Sequence, residues 1–120
     1  MKKTIVLGAS PNPVRFSYKA VKSLKRHEIE VIPIGFRKGL IEDIEILTGQ
    51  PEIKDVHTVS LYIGSSRQTE YYDYIISLNP KRVIFNPGTV NPEFLLMLAE
   101  ETDFETVSEC MLVMLNEGEY

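Results

Sequence analysis

Short apolar runs alternate with amphipathic stretches along the chain. Thr4–Leu7 is β-branched and aliphatic and predicts a buried strand. Ser17–His27 predicts a helix. Phe16, Ala20, Val21 and Leu24 share one face, while Lys19, Lys22, Lys25 and Arg26 fall largely outside it. Lys25, Arg26 and His27 suit the negative end of that helix. Glu30–Ile34 and Thr58–Ile63 predict two further strands. Gln68–Leu78 predicts a helix with Tyr72, Ile75 and Ile76 on its apolar side, stopped by Asn79-Pro80. Arg82–Phe85 follows as a strand and Asn86-Pro87-Gly88 as a turn. Pro92–Glu101 predicts a helix with Asn91 as its N-cap and Pro92 at its first position. Phe104–Val107 predicts a short strand. Cys110–Leu115 predicts a closing helix, because Met and Leu outnumber β-branched residues there. Between Gly35 and His57 the pattern is irregular, with one short extended piece at Ile44–Leu47.

Strands alternating with helices imply an α/β class: a three-layer, Rossmann-like fold with a central parallel sheet of about five strands. Such sheets take ligands beyond the carboxyl ends of their strands. The residues at those exits are Gly8-Ala9-Ser10, Gly35-Phe36-Arg37, Gly64-Ser65-Ser66-Arg67, Asn86-Pro87-Gly88 and Ser108-Glu109-Cys110. Glycines admit close approach to the backbone. Arginines offer planar, bidentate contact to phosphate.

Composition narrows the partners. The net charge of −4 argues against general binding to nucleic acid or to an anionic membrane. The single cysteine, Cys110, allows no internal disulfide and suits a reducing compartment. The two N-terminal lysines precede an apolar run too short for a signal segment, and no stretch approaches a membrane span. The expectation is a cytoplasmic protein folded as one domain over residues 1–120.

The most informative stretch is Val6 to Tyr18, VLGASPNPVRFSY. A strand, a tight turn and a helix start make a ready anion site, because the first helical N–H groups lack backbone partners. The turn departs from the three-glycine dinucleotide fingerprint. Only Gly8 is present, with Ser10 and Pro13 where the other two glycines would stand. An acidic residue at the exit of the second strand would bond a free ribose diol. Arg37 stands there instead and favours a phosphorylated ribose, which fits NADP and coenzyme A (CoA) equally.

The motif GASPNPVRFSY resembles the opening of the small single-domain CoA-binding proteins, relatives of the N-terminal domain of the succinyl-CoA synthetase α subunit. Val31–Arg37 and Arg82–Asn91 resemble that family's second and fourth strands and their exits. Ser108–Met111 occupies the place of a cysteine-containing motif. Two departures stand out. Gly35-Phe36 replaces a common Asn-Pro pair, and Gly64-Ser65-Ser66-Arg67 is a loose match. The resemblance implies that Gly8, Ala9 and Ser10 serve the pyrophosphate, joined by Arg15 and Ser17, the latter equally an N-cap. It further implies that Arg37, with Lys38, meets the ribose phosphate and that Pro33 and Ile34 wall the adenine. Gly35, Gly64, Ser65, Asn86, Pro87 and Gly88 complete the candidate cofactor-binding set.

Other residues carry weaker chemistry. Tyr18 either covers the turn or packs. His57 follows Asp55 closely, as a catalytic pair or as a surface contact. Cys110 is either a thiol near the ligand or a small buried hydrophobe. Two distant histidines and one cysteine make no metal site. The expected function is a noncatalytic carrier or sensor of CoA or an acyl-CoA. Two alternatives remain: an NAD- or NADP-binding redox enzyme or sensor, and a subunit that completes a ligase-type active site with a partner. The chain has no room for a dehydrogenase substrate domain, and nothing in it supplies a ligase phosphohistidine. A homo-oligomer is compatible with each reading. An exposed Met111–Leu115 run would favour a partner subunit.

Overall fold

The computed structural model describes residues 2–120. Its strands are β1 (Thr4–Ala9), β2 (Val31–Gly35), β3 (Gly39–Ile41), β4 (Ile44–Thr48), β5 (Thr58–Leu61), β6 (Arg82–Phe85) and β7 (Glu105–Val107). Its helices are α1 (Phe16–Arg26), α2 (Ser65–Gln68), α3 (Tyr72–Leu78), α4 (Pro92–Glu101) and α5 (Met111–Asn116), with a 3-10 turn at Thr69–Tyr71. The sheet order is β3-β4-β2-β1-β5-β6-β7. All neighbouring strands run parallel except β3 and β4. Without β3, the order is that of a doubly wound dinucleotide-binding sheet, with the switch point between β1 and β5.

Side chains alternate across the sheet and so build two cores. Ile5, Leu7, Val59, Leu61, Val83 and Phe85 join Tyr72 and Ile75 of α3 and Phe94 and Leu98 of α4. Val6 and Ile84 join Ala20, Val21 and Leu24 of α1 and Met111, Met114 and Leu115 of α5. Strands covered on both faces explain why the central segments read as continuous apolar runs rather than alternating ones.

The α/β, Rossmann-like class agrees with the sequence reading, but the sheet is larger. The irregular stretch after Gly35 holds the β3–β4 hairpin, with Ile41 facing Ile44 across Glu42 and Asp43. The extended piece expected at Ile44–Leu47 is β4, which runs beside β2. The hairpin takes the place of a crossover helix, and Lys25 of α1 clasps it through Asp43 at 2.5 Å. Both outer strands, β3 and β7, are three residues long. The helix expected over Gln68–Leu78 is instead broken into α2, the 3-10 turn and α3.

Two expectations for α1 change. Its N-cap is Arg15, one residue before Phe16 and two before Ser17. Ser17 is therefore a buried first-turn residue and not the cap. Phe16, expected on the inner face, is 68% exposed: as the first residue of the helix it lines the open cleft, with the Lys19 ammonium 5.2 Å from its ring centroid. The Met111–Leu115 run is mostly internal: Met111, Met114 and Leu115 are buried. Among the described residues, no helix is long and apolar enough to cross a membrane.

Candidate functional site

The β1 exit sets the site. Ala9 pairs with Gly35 of β2, and the ladder slips between Leu7 and Ala9, so Gly8 is the extra residue of a bulge. Gly8 has φ +101°, and a Cβ there would stand 2.7 Å from Ile63 Cγ2 and 2.9 Å from the Tyr62 carbonyl. Only glycine meets both demands. The turn that follows bonds to itself. The Ser10 hydroxyl accepts from Asn12 N–H at 3.1 Å, and Asn12 Oδ1 accepts from Val14 N–H at 3.1 Å. The Asn12 carbonyl accepts from Arg15 N–H at 3.1 Å. Pro11 and Pro13 have no N–H to leave unpaired. Pro11 leans on Gly39, where a Cβ would come within 2.9 Å of its own. The turn is thus pressed between α1 and β3. α1 then starts with no side-chain cap.

Around this turn lies a cleft of about 1140 Å³ over the carboxyl ends of β1, β5 and β6. Gly8, Ala9, Ser10, Arg15, Ser17, Arg37, Gly64, Asn86, Pro87 and Gly88 line it, as does Cys110. Its lining contains Arg15, Arg37 and Arg67 and no carboxylate. Among the described residues, none of these three arginines has a salt bridge or a side-chain hydrogen bond. In a chain of net charge −4, three arginines with no ion-pair or hydrogen-bonding partner share one cleft.

Pro33, Ile34, Gly35, Lys38 and Ser65, all named from the sequence, stand outside the cleft lining. Pro33 is buried within the sheet opposite Val6, because β2 runs on to Gly35. Ile34, its neighbour, belongs to the core. Gly35 is a packing residue: a Cβ there would lie 2.1 Å from the Ala9 carbonyl oxygen. Ser65 is exposed as the first residue of α2 and turns away from the lining, whereas Gly64 and Arg67 contribute to it.

Asn86 lines the cleft but its amide is already committed. It donates to Ser60 Oγ at 2.8 Å and to the Leu61 carbonyl at 2.9 Å, and its Oδ1 accepts from Met111 N–H at 2.8 Å. The side chain is a strut that ties β6 to β5 and to the start of α5. A second buried network lies beneath the β5 and β6 loops. Gln68 donates to the Ile63 carbonyl at 2.9 Å and the Thr89 carbonyl at 2.7 Å, and its Oε1 accepts from Asn91 at 3.0 Å. Asn91 also donates to the Tyr72 hydroxyl, which in turn donates to Glu93. Fully bonded networks of this kind fix a unique arrangement of the loops they join.

Several other titratable groups have structural partners. Burial, and next the neighbouring Cys110, pushes the Tyr62 phenol upward, so it stays neutral. His57 bonds the Thr58 hydroxyl at 2.7 Å rather than Asp55. His27 is the C-cap of α1 and contacts the Ser23 carbonyl at 2.7 Å. Tyr18 is half-buried and packs on the α1–α5 core. Cys110 is half-buried at the N-cap of α5. Among the described residues, no group of three or more His, Cys, Asp or Glu could hold a metal ion.

Phe36 and Arg67 are two of the cleft residues that the candidate set omits. They face each other, with the guanidinium carbon 3.8 Å from the ring centroid. The arginine at that strand exit was visible in the sequence, but its pairing with an aromatic from another loop was not.

Comparison with known proteins bears on this cleft. Residues 2–116 match the protein-family model described as a CoA binding domain. A crystal structure of an uncharacterized protein is 48% identical, with a TM-score of 0.96 over 100% of this chain and 98% of that one. A Thermus thermophilus protein is 20% identical, with a TM-score of 0.85 over 99% of this chain and 90% of that one. A hypothetical protein from Pyrococcus horikoshii OT3 is 24% identical, with a TM-score of 0.83 over 97% of this chain and 82% of that one. The last two share the fold. No curated protein matches the sequence.

Proposed function

This chain belongs to the CoA binding domain family, and on that premise we propose that the cleft holds CoA or an acyl-CoA for a noncatalytic carrier or sensor. The carrying observation is the donor set: three arginines with no ion-pair or hydrogen-bonding partner among the described residues and an uncapped helix start, in a cleft free of carboxylates. That chemistry fits a ligand with two separate anionic groups, a diphosphate and a phosphorylated ribose. The cleft volume of about 1140 Å³ suits an extended ligand of this size better than a lone phosphate.

In this reading the Gly8-Ala9-Ser10 turn and the start of α1 meet the diphosphate, with Ser17 beside it. Arg15 pairs with it from the N-cap position. Hydrogen bonds to charged groups contribute about 1.5–3 kcal/mol each, against about 0.3–2 kcal/mol for a helix terminus. Arg15 therefore outweighs the helix end. Arg37 and Arg67, at the β2 and β5 exits, are the cations left for the ribose phosphate. Pro87, Gly88 and Cys110 border the opposite end of the cleft, which is left for the thiol arm of the ligand. The single free cysteine suits a reducing, cytoplasmic setting.

Calorimetric titration with CoA, dephospho-CoA, NADP and NAD tests the reading. CoA is expected to bind best, with dephospho-CoA weaker by about tenfold or more for one lost charged contact. A preference for NAD or NADP over CoA would reject it.

A further inference from the structure

We propose that Arg67, held against the ring of Phe36, reads the phosphate on the ribose, and that Phe36 is its positioning residue. The inference rests on the CoA reading above and deepens it, because it names the residue that distinguishes CoA from its dephospho form.

Arg67 is fixed at both ends. Its backbone N–H donates to the Gly64 carbonyl at 3.0 Å. The next residue, Gln68, is fully buried and bonded to the β5 and β6 loops. At the other end its guanidinium lies flat on Phe36, 3.8 Å from the centroid. Phe36 is itself steadied edge-on by Tyr71, with centroids 6.3 Å apart at 71°. The ring lines the cleft and is 45% exposed. Stacking uses the face of the guanidinium and leaves its N–H edge, which has no protein acceptor, free to bond two oxygens of a phosphate.

Arg37 differs. Exposed like Arg67, it lies in the β2–β3 loop with no stacking or bonding partner among the described residues. Ordering it on a ligand costs side-chain entropy that Arg67 has already lost. The stack also joins the loops after β2 and β5, which flank the β1 exit on opposite sides. Its charge therefore stands at the nucleotide end of the crevice, away from Cys110 and Leu112 at the start of α5.

The test is the ratio of dissociation constants for dephospho-CoA and CoA, measured by calorimetry on wild type, Arg67→Ala, Arg67→Lys, Phe36→Leu and Phe36→Tyr. Far-UV circular dichroism and thermal melts check that each variant is folded. The wild-type ratio is expected to be about tenfold or more, and Arg67→Ala should bring it close to one. Arg67→Lys keeps the charge but loses the planar fork, and should fall between. Phe36→Leu should lower the ratio several-fold although it removes no charge, and Phe36→Tyr should restore it. A wild-type ratio kept by Arg67→Ala would overturn the assignment and leave CoA binding intact. Equal weakening of both ligands would also overturn it, since Arg67 would then be a diphosphate contact. Failure of the wild type to bind CoA at all would instead sink the functional reading, and this inference with it.

Discussion

Gly35→Ala is expected to unsettle the β1–β2 junction more than any surface change nearby. The new methyl carbon would stand 2.1 Å from the Ala9 carbonyl oxygen and 3.2 Å from Ile46 Cγ2. Carbon–oxygen contacts between strands settle near about 3.3–3.6 Å, so the two backbones must part by more than about 1 Å. Neither side can yield as a flexible side chain would. Ala9 is locked in the ladder opposite Gly35, and Ile46 is buried. Overpacking of this sort costs about 1–3 kcal/mol, and one or two weakened ladder bonds add about 0.5–1.5 kcal/mol each. The smaller entropy of the unfolded alanine chain returns about 0.4–1 kcal/mol. The net loss is about 2–4 kcal/mol, or roughly 8–16 °C in Tm for a chain of this size. Urea unfolding followed by far-UV circular dichroism measures it, with tyrosine fluorescence as a second probe because the chain has no tryptophan. Gly64→Ala is the control: its methyl would meet nothing within 4 Å, and the cost should stay below about 1 kcal/mol. If Gly35→Ala cost no more than that control, the steric argument would be wrong.

Arg15→Ala should weaken CoA and dephospho-CoA alike, by about 10- to 150-fold, as read by calorimetry. A selective effect on one ligand would contradict its placement on the diphosphate. Asn86→Ala strands a buried hydroxyl, a carbonyl and the Met111 N–H, and should cost about 2–4 kcal/mol in urea unfolding. A near-neutral result would show that Asn86 is not a strut. His57 is held below its ordinary pKa, first by partial burial and then by the nearby Arg82, Lys2 and Lys81 charges. The folded state therefore binds its proton less readily than the unfolded chain. Its contribution is intact above about pH 6.5 and is lost as the pH falls through the lower, folded value. His57→Gln should lose less stability than wild type between about pH 7.5 and 5.5, and an identical loss would refute the linkage.

Local chemistry and tertiary contact were unequally legible in the sequence. α4 runs from Pro92 to Glu101 as its N-cap and first-position proline predict, because those cues act within one turn of chain. The β1 turn was legible for the same reason, and most of the candidate residues around it do line one cleft. The β3 strand was hidden: three residues with a glycine carry no usable period, and it exists only by pairing with β4. Pro33, which the resemblance implied as a wall of the adenine, lies buried in the sheet, because pairing carries β2 on to Gly35 opposite Ala9. Phe36 and Arg67 belong to separate loops whose meeting depends on sheet order, which no local pattern encodes.

The brevity of the two outermost strands has a consequence for the protein in a crowded solution. An approaching chain finds a ledge of only three residues on either side. Glu42 and Asp43 edge the one at β3, and Asp103 and Glu105 edge the one at β7. Extending the sheet would bring acid against acid in return for a few bonds. The molecule is thus guarded against templated stacking whether or not its cleft is filled.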